Sequence, residues 1–299
     1  MTPAARESVT GILPPESIGA TLTRDGGRVA AAIGVRFDAG YREAQGLLAH
    51  VMGVSRVQLT ANHRGPVPAD ARCAYDTLIE RRIRGEPYAY LVGSREFYGL
   101  DFLLTPSVLI PRPETELLVG AALERLPATA PSTVLDLGTG SGVLAVTLAR
   151  SRPQAQVTAA DVSPDALTVA RENAVRLGAG NVRFVESSWF EAITGERFDV
   201  IVANPPYVAA GDRHLDEADL RFEPHGALVG GKDGLDALRI VVRKAPAHLN
   251  VDGWLLLEHG YDQAARCRAL LVAAGFARIF CLCDLAGIER VSGGQKGSR

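Results

Sequence analysis

Val134-Leu135-Asp136-Leu137-Gly138-Thr139-Gly140-Ser141-Gly142, leading into the helical stretch Val143 to Arg150, decides the fold class of this chain. An apolar run that meets glycines and then a helical pattern reads as a buried strand, a tight turn and a helix, the opening unit of a parallel sheet. The glycine spacing narrows the ligand. A dinucleotide fingerprint, G-x-G-x-x-G, needs its third glycine at position 143, but Val143 stands there and the spacing is G-x-G-x-G, which disfavours pyrophosphate. Glycines allow close backbone approach at the helix N-terminus, and Asp136 offers a carboxylate suited to an ammonium group rather than a phosphate. A nucleoside that carries an amino acid fits this loop.

Downstream, strand-like runs alternate with helical ones: Val157 to Ala160, Val182 to Val185, Val200 to Ala203 and Trp254 to Leu257. Such alternation predicts an α/β fold with a mostly parallel sheet. Ser163 and Pro164 have the character of N-cap and first helical residue of a helix that stops at Gly178, and Gly275 that of the residue closing another. Ile279 to Leu282 and Glu289 to Ser292 have no helix between them, so the sheet is expected to end in an antiparallel pair. Asp161 lies 19 residues after Gly142, where an acidic residue holds ribose hydroxyls in nucleotide-binding α/β folds.

Upstream, the first 35 or so residues are rich in Gly, Pro, Thr and Ala without a sustained period, and Asp25-Gly26-Gly27 is a turn signal. Residues 1–35 are therefore expected to be irregular or disordered. A small helical module over 36–93 follows, with Ala44, Leu47, Leu48 and Val51 on one helical face and Tyr75, Leu78 and Ile79 on a second helix ending near Gly85. Alternating apolar segments from Phe97 to Ile110, bounded by Gly99 and Pro106, predict a hairpin, so residues 94–112 read as a linker ahead of the sheet domain, 113–299.

Chemistry is announced by Asn204-Pro205-Pro206-Tyr207, directly after the apolar run Phe198 to Ala203. A buried strand whose carboxyl end delivers a rigid polar loop points into the crevice where open α/β sheets bind ligands. Prolines lack N–H donors, so carbonyls nearby stay available as acceptors. Asn204 Oδ1 and the Pro205 carbonyl are suited to hold both hydrogens of an –NH2 group, with the Tyr207 ring over its flat face. The acceptor is an amide or an amino-substituted base.

At 299 residues with 47% apolar content, the chain has room for one large or two modest domains. A net charge of −2 and a pI near 6.3 provide no global basic field of the kind that gathers phosphates. No apolar run approaches ~18 residues, and Met1 to Val9 has no signal-peptide pattern, so a soluble cytoplasmic protein is expected. Cys73, Cys267, Cys281 and Cys283 read as free thiols, and the six histidines form no metal-ligand pair, so no metal is expected.

The glycine loop and the Asn204 to Tyr207 loop together resemble the class I S-adenosylmethionine methyltransferases. Further blocks resemble the protein-glutamine N5-methyltransferases that modify bacterial peptide chain release factors: Ile110-Pro111-Arg112-Pro113-Glu114-Thr115-Glu116, Gly85-Glu86-Pro87 with Tyr90-Leu91-Val92-Gly93, Glu96-Phe97-Tyr98-Gly99, Arg221-Phe222-Glu223-Pro224 and Glu289-Arg290-Val291. The likeness covers roughly residues 41 to 292. It implies a Rossmann-like methyltransferase domain behind a small helical N-terminal domain that docks the release factor. It also implies cofactor contacts from Asp136, Gly138, Thr139, Gly140, Ser141, Gly142, Asp161, Trp189 and Asn204. Substrate contacts are implied for Asn204, Pro205, Pro206 and Tyr207, with Asn204, Pro205 and Tyr207 catalytic. Family members usually carry Asp where this chain has Ser188, near the adenine amino group; a Ser hydroxyl can still hydrogen-bond there.

Two other acceptors use a similar loop. Adenine-N6 methylation requires base flipping and a grip on phosphates, for which this chain offers neither a large recognition domain nor a basic stripe. Glutamine methylation of a ribosomal protein is nearer, although those enzymes depart at the Pro111 to Glu116 block. A scaffold that binds the cofactor without chemistry leaves the acceptor loop unexplained. Glu114 and Glu116 suit a helix start at least as well as a substrate or cofactor contact and are assigned no chemistry, and Glu258-His259 reads as a structural strand end. Gly293-Gly294-Gln295 reproduces the tripeptide that such enzymes methylate; coincidence in a Gly-rich polar terminus is the simpler account, self-methylation or autoinhibition through Gln295 the alternative.

Overall fold

The computed structural model describes residues 16–216 and 219–297, in two compact units that divide between Val92 and Gly93. Residues 1–15, part of the stretch expected to be irregular, lie outside the described residues. The remainder of that stretch is a helix. α1 (Ile18–Ile33) is capped by the Ser17 side chain, which accepts from the Ala20 N–H, and closes at Gly34 with φ 70°. Ile18, Leu22 and Val29 are buried on its inner face. Asp25-Gly26-Gly27 suggests a turn, yet α2 (Phe37–Met52) crosses here so closely that a Cβ on Gly40 would lie 2.4 Å from the Gly26 carbonyl oxygen. Glycine serves the crossing of two helices, and packing overrides its weak helix propensity. α3 (Arg56–Ala61), α4 (Ala69–Ile83) and α5 (Tyr88–Val92) complete the unit around Leu47, Leu48, Tyr75 and Ile79.

The second unit begins with a hairpin, β1 (Ser94–Phe97) and β2 (Leu100–Leu103). Its turn is Tyr98-Gly99, both at positive φ, the two-residue geometry whose twist matches paired strands. Gly99 thus makes the turn rather than bounding the hairpin. Nor is the segment a bare linker: Phe97 and Phe102 are buried in the core of the sheet unit, and Asn173 bonds both backbone groups of Leu103.

α6 (Thr115–Arg125), β3 (Ser132–Leu137), α7 (Val143–Ser151), β4 (Ala155–Asp161), α8 (Pro164–Arg176), β5 (Val182–Glu186) and β6 (Phe198–Ala203) follow in alternation. Then come a short helix α9 (His225–Leu228), α10 (Asp236–His248), β7 (Leu249–Glu258), α11 (Ala264–Ala273), β8 (Phe276–Cys283) and β9 (Glu289–Lys296). The sheet order is β5-β4-β3-β6-β7-β9-β8, parallel through β7 and antiparallel at β9 and β8. This is the mostly parallel sheet with a terminal antiparallel pair expected from the sequence. Residue alternation divides the core: Val134, Val200 and Val202 face one cluster with α6 and α7, while Leu135, Leu137 and Ile201 face the other with α10 and α11.

Strand order reverses between β3 and β6, so their carboxyl ends flank the crevice where such sheets bind ligands. The glycine loop follows β3 and the proline loop follows β6. Toward the antiparallel end of the sheet, Gly293-Gly294-Gln295 lies inside β9, between β7 and β8, not in a polar tail. A Cβ on Gly293 would sit 2.6 Å from the Phe280 ring and 2.7 Å from Leu256, and Gln295 donates from Nε2 to the Asp252 carbonyl at 2.9 Å. The glycines are there because the slot beside Phe280 admits no side chain.

Candidate active site

The glycine loop is tied down from beneath. Gly138 and Thr139 donate their N–H groups to the Ala160 carbonyl, at 2.8 and 3.0 Å. Asp136 is fully buried, and its Oδ2 accepts from the Thr139 hydroxyl at 2.6 Å and from the Ala145 N–H at 3.1 Å. The latter satisfies a donor that the first turn of a helix otherwise leaves open. Burial pushes the Asp136 carboxyl up to about 7, against the pull of Thr139 and Ala145, and Oδ1 has no hydrogen-bond partner among the described residues. Gly142 starts α7 at φ 85°, and a Cβ there would lie 3.1 Å from that of Ala170 on α8.

Asp161 closes β4 with one backbone donor on each oxygen, Gly140 N–H to Oδ2 and Ser163 N–H to Oδ1, both at 2.9 Å. Past β5, Trp189 adopts φ 54°, and the Ser187 hydroxyl braces this turn by donating to the Trp189 carbonyl and accepting from Ala192. These segments enclose a cavity of about 290 Å³, close to the lower end of the ~300–1,000 Å³ range of small-molecule sites. Gly138, Gly140, Asp161, Trp189, Asn204 and Pro206 all line it, as do Ser188 and Leu109. Asp136, Thr139, Ser141, Gly142, Pro205 and Tyr207 are not among its lining residues. Asp136 and Thr139 sit under the loop because a buried carboxylate and hydroxyl must satisfy each other, so they shape the wall and do not form it.

The proline loop is held from the sides. Asn204 donates from Nδ2 to the Thr115 hydroxyl at 3.2 Å. Val208 N–H donates to the Leu228 carbonyl and Gly230 N–H to the Val208 carbonyl, each at 2.9 Å, while Gln263 Nε2 donates to the Tyr207 carbonyl at 2.9 Å. A Cβ on Gly230 would fall 2.3 Å from the Pro206 carbonyl oxygen. Tyr207 turns its hydroxyl toward Glu258, 3.5 Å from Oε1, and burial with the neighbouring Glu258 pushes its pKa up. Glu258 is buried, and that burial pushes its carboxyl up to about 7. His259 is structural, as expected, with its ring between the Gly260 carbonyl and the Ser292 hydroxyl. Farther along the wall, buried Glu223 accepts from Ile110 N–H at 3.0 Å and from Arg112 at 2.5 Å, joining two blocks far apart in the chain.

A release factor glutamine methyltransferase of Burkholderia pseudomallei is 54% identical to this chain over 259 residues, covering 85% of the chain and 91% of the relative. The chain belongs to the release factor glutamine methyltransferase family. A relative of the same name from Pseudomonas aeruginosa is 51% identical, over 83% of this chain and 90% of its own length. Two family descriptions match within the chain, the PrmC N-terminal domain over residues 36–93 and the Methyltransferase small domain over 115–229. Among solved structures, a T. thermophilus 16S rRNA N2 methyltransferase in complex with AdoMet and guanosine aligns with TM-score 0.51 and 25% identity, over 68% of this chain and 50% of that one. A Pyrococcus furiosus methyltransferase aligns with TM-score 0.51 and 22% identity over 68% of this chain and 91% of its own, a likeness of fold.

Within this family framework, the sequence assigns no role to three residues that brace the proline loop, Thr115, Gly230 and Gln263, and reads a fourth, Glu258, only as a structural strand end. Thr115 stands inside the Pro111 to Glu116 block, between the two glutamates read as helix-start residues, and carries no role of its own in that reading. Glu116 does serve the local structure, accepting from Tyr98 N–H at 2.9 Å. A charged residue closing the apolar run Trp254 to Leu257 was the signal for Glu258. Gly230 and Gln263 carried none, because their roles consist of contacts to a distant loop. Among the described residues no group of three or more His, Cys, Asp or Glu side chains is placed to hold a metal ion, and no helix is long and apolar enough to cross a membrane.

Proposed function

We propose that this chain transfers a methyl group from S-adenosylmethionine to the side-chain amide nitrogen, N5, of the glutamine in the Gly-Gly-Gln motif of bacterial release factors. The reaction takes place in the cytoplasm, and the helical unit docks the protein substrate. The observation that carries this reading is that Asn204 and Pro206, from the acceptor loop, line the same cavity as Gly138, Gly140 and Asp161.

The residues fit the cofactor. A Cβ on Gly138 or Gly140 would meet nothing within 4 Å, so the glycine wall is open to a ligand. Each Asp161 oxygen keeps a lone pair for a ribose hydroxyl after taking one backbone N–H. Trp189 and Ser188 supply a flat face and a hydroxyl for the base. When bound, S-adenosylmethionine supplies a methyl already activated by its sulfonium.

An amide nitrogen is a feeble nucleophile, its lone pair delocalised into the carbonyl, so the work of the chain is alignment. Such positioning can supply ~7–11 kcal/mol of a barrier. Asn204 Oδ1 and the Pro205 carbonyl accept from the substrate –NH2 and strengthen as positive charge grows on its hydrogens. Tyr207 closes the acceptor side. No base is needed at the start, because nitrogen becomes acidic as it gains the methyl.

Tandem mass spectrometry of a release factor incubated with the protein and S-adenosylmethionine tests the reading. The expected result is one added methyl on the glutamine of Gly-Gly-Gln. An unmodified glutamine at that site, with or without methylation elsewhere, would overturn it.

A further inference from the structure

The mechanism above leaves one buried ionisable group beside the acceptor loop unused. Register pairs Ala203 of β6 with Leu257 of β7, so Asn204 and Glu258 are the next residues on neighbouring parallel strands. Glu258 is only 2% exposed, and its Oε2 has no hydrogen-bond partner among the described residues. An unpartnered buried carboxylate oxygen is costly, which makes it a strong acceptor for any nearby hydroxyl. Two hydroxyls face it. Tyr207 approaches Oε1 at 3.5 Å, and Thr115 is near enough to lower the acid's pKa.

The two ends of an asparagine amide are alike in shape, and their partners alone decide which end points where. Thr115 by itself does not decide, since a hydroxyl both donates and accepts. A carboxylate only accepts. Asn204 itself lies beside Glu258 at the neighbouring strand end, and with the Thr115 proton also drawn to that carboxylate, Asn204 must present Nδ2 to this side. That is the pairing observed at 3.2 Å. Oδ1 is then the end left for the substrate.

We infer that Glu258 is a positioning residue for methyl transfer: through Thr115 it fixes the Asn204 amide with its acceptor oxygen toward the substrate –NH2, and through Tyr207 it holds the far end of the same loop. The inference rests on the reaction proposed above. A protonated Glu258 becomes a donor, the Thr115 proton is freed for Asn204 Oδ1, and the amide can turn its –NH2 on the substrate. Burial holds Glu258 near 7, with Glu114 raising it and Thr115, Arg290 and Asn204 lowering it. Arg112 and Glu114 act on Tyr207 from the same side. Turnover should accordingly fall as pH drops through about 7.

The test is the pH profile of kcat, at saturating S-adenosylmethionine and with a release factor as methyl acceptor, for wild type, Glu258→Gln, Glu258→Asp and Thr115→Val. Asp136 titrates in the same range under the glycine loop, and loss of the inflection in Glu258→Gln assigns it to Glu258. Wild-type kcat is expected to fall about tenfold per pH unit below the inflection. Glu258→Gln should lose the inflection and about 10²-fold of kcat at pH 8, with cofactor affinity by calorimetry and melting temperature close to wild type. Glu258→Asp should keep the inflection, because it keeps the carboxylate. If Glu258→Gln does not fold, Thr115→Val cuts the same relay and should lose the inflection too. An active wild type whose Glu258→Gln variant retains both kcat and inflection would overturn the inference alone. A wild type that methylates no release factor at any pH overturns the proposed reaction and the inference with it.

Discussion

Two loops at neighbouring strand ends face one cavity, yet they are built by opposite means. The glycine loop after β3 is held by bonds spanning 3, 9 and 21 residues, from Asp136 to Thr139 and Ala145 and from Gly140 to Asp161. Beyond the backbone bonds of Val208 to Leu228 and Gly230, the proline loop after β6 is held by contacts spanning 51, 56 and 89 residues, to Glu258, Gln263 and Thr115. Glycine yields a loop whose backbone bends to the carboxyl end of the next strand, β4, while Asp136 ties it to its own strand and helix. Proline yields a stiff loop that cannot bond to itself, so its aim is set by whatever surrounds it. The glycine wall is mainly a local structure, with one longer tie from Asn173 to the Ser141 carbonyl across 32 residues, and the proline wall is mainly a tertiary one.

The largest expected effect is on the acceptor wall. Asn204→Ala should lower kcat by about 10²–10³ with cofactor binding still measurable by calorimetry, as when one preorganised polar group is removed from a transition state. Wild-type turnover in that variant would erase the distinction between the two walls. Next is Gly230→Ala, which touches no lining side chain yet forces a Cβ to within 2.3 Å of the Pro206 carbonyl. A displacement of this kind can cost up to about 10² in turnover. If steady-state kinetics showed no change in kcat, the loop would be shown to hold its own shape.

On the cofactor wall, effects should move from turnover to affinity and stability. Gly142→Ala places an L residue at φ 85° against Ala170, so urea unfolding should show a loss of about 1–2 kcal/mol and calorimetry a weaker cofactor. The smallest effect on turnover is expected from Asp136→Asn. The Asp136 carboxyl stands at about 7 in the fold against 3.8 as its ordinary value. Stability from this group is therefore fully present below about pH 4 and lost as pH rises through about 7. Asn does not titrate, so the stability of wild type minus that of the variant should decline from pH 4 to 7 in urea titrations. A difference that stays constant across that range would mean that Asp136 is ionised throughout and that the loop is held differently.

The fold was legible wherever burial left a one-dimensional trace. Parallel strands covered on both faces appear as the runs Val134 to Leu137 and Val200 to Ala203, and Ser163-Pro164 marks a helix start because capping is a local exchange of hydrogen bonds. What misled were glycines. In Asp25-Gly26-Gly27 and in Gly293-Gly294-Gln295 the residue type suggested turn and tail, while the reason for it was another element passing too close for a Cβ. The hairpin was found but its turn misplaced, since only the pairing of Phe97 with Leu100 shows that Tyr98-Gly99 is the corner. In the site, Gly138, Gly140, Asp161, Trp189 and Asn204 were all foreseen as ligand-facing residues and all line the cavity. Asp136, Thr139, Ser141 and Gly142 carry the same expectation, and Pro205 and Tyr207 that of substrate contacts, yet none of the six lines the cavity; Asp136 and Thr139 support the glycine loop from below.

By itself, then, the chain determined the sheet, the glycine loop and the chemistry of Asn204-Pro205-Pro206-Tyr207, because strand burial, turn geometry and missing N–H groups are properties of neighbouring residues. Only the tertiary structure decided how that acceptor loop is aimed. Thr115, Gly230 and the stretch from Glu258 to Gln263 reach it from three separate segments, and the orientation of one amide beside a buried carboxylate depends on contacts that no spacing along the chain records.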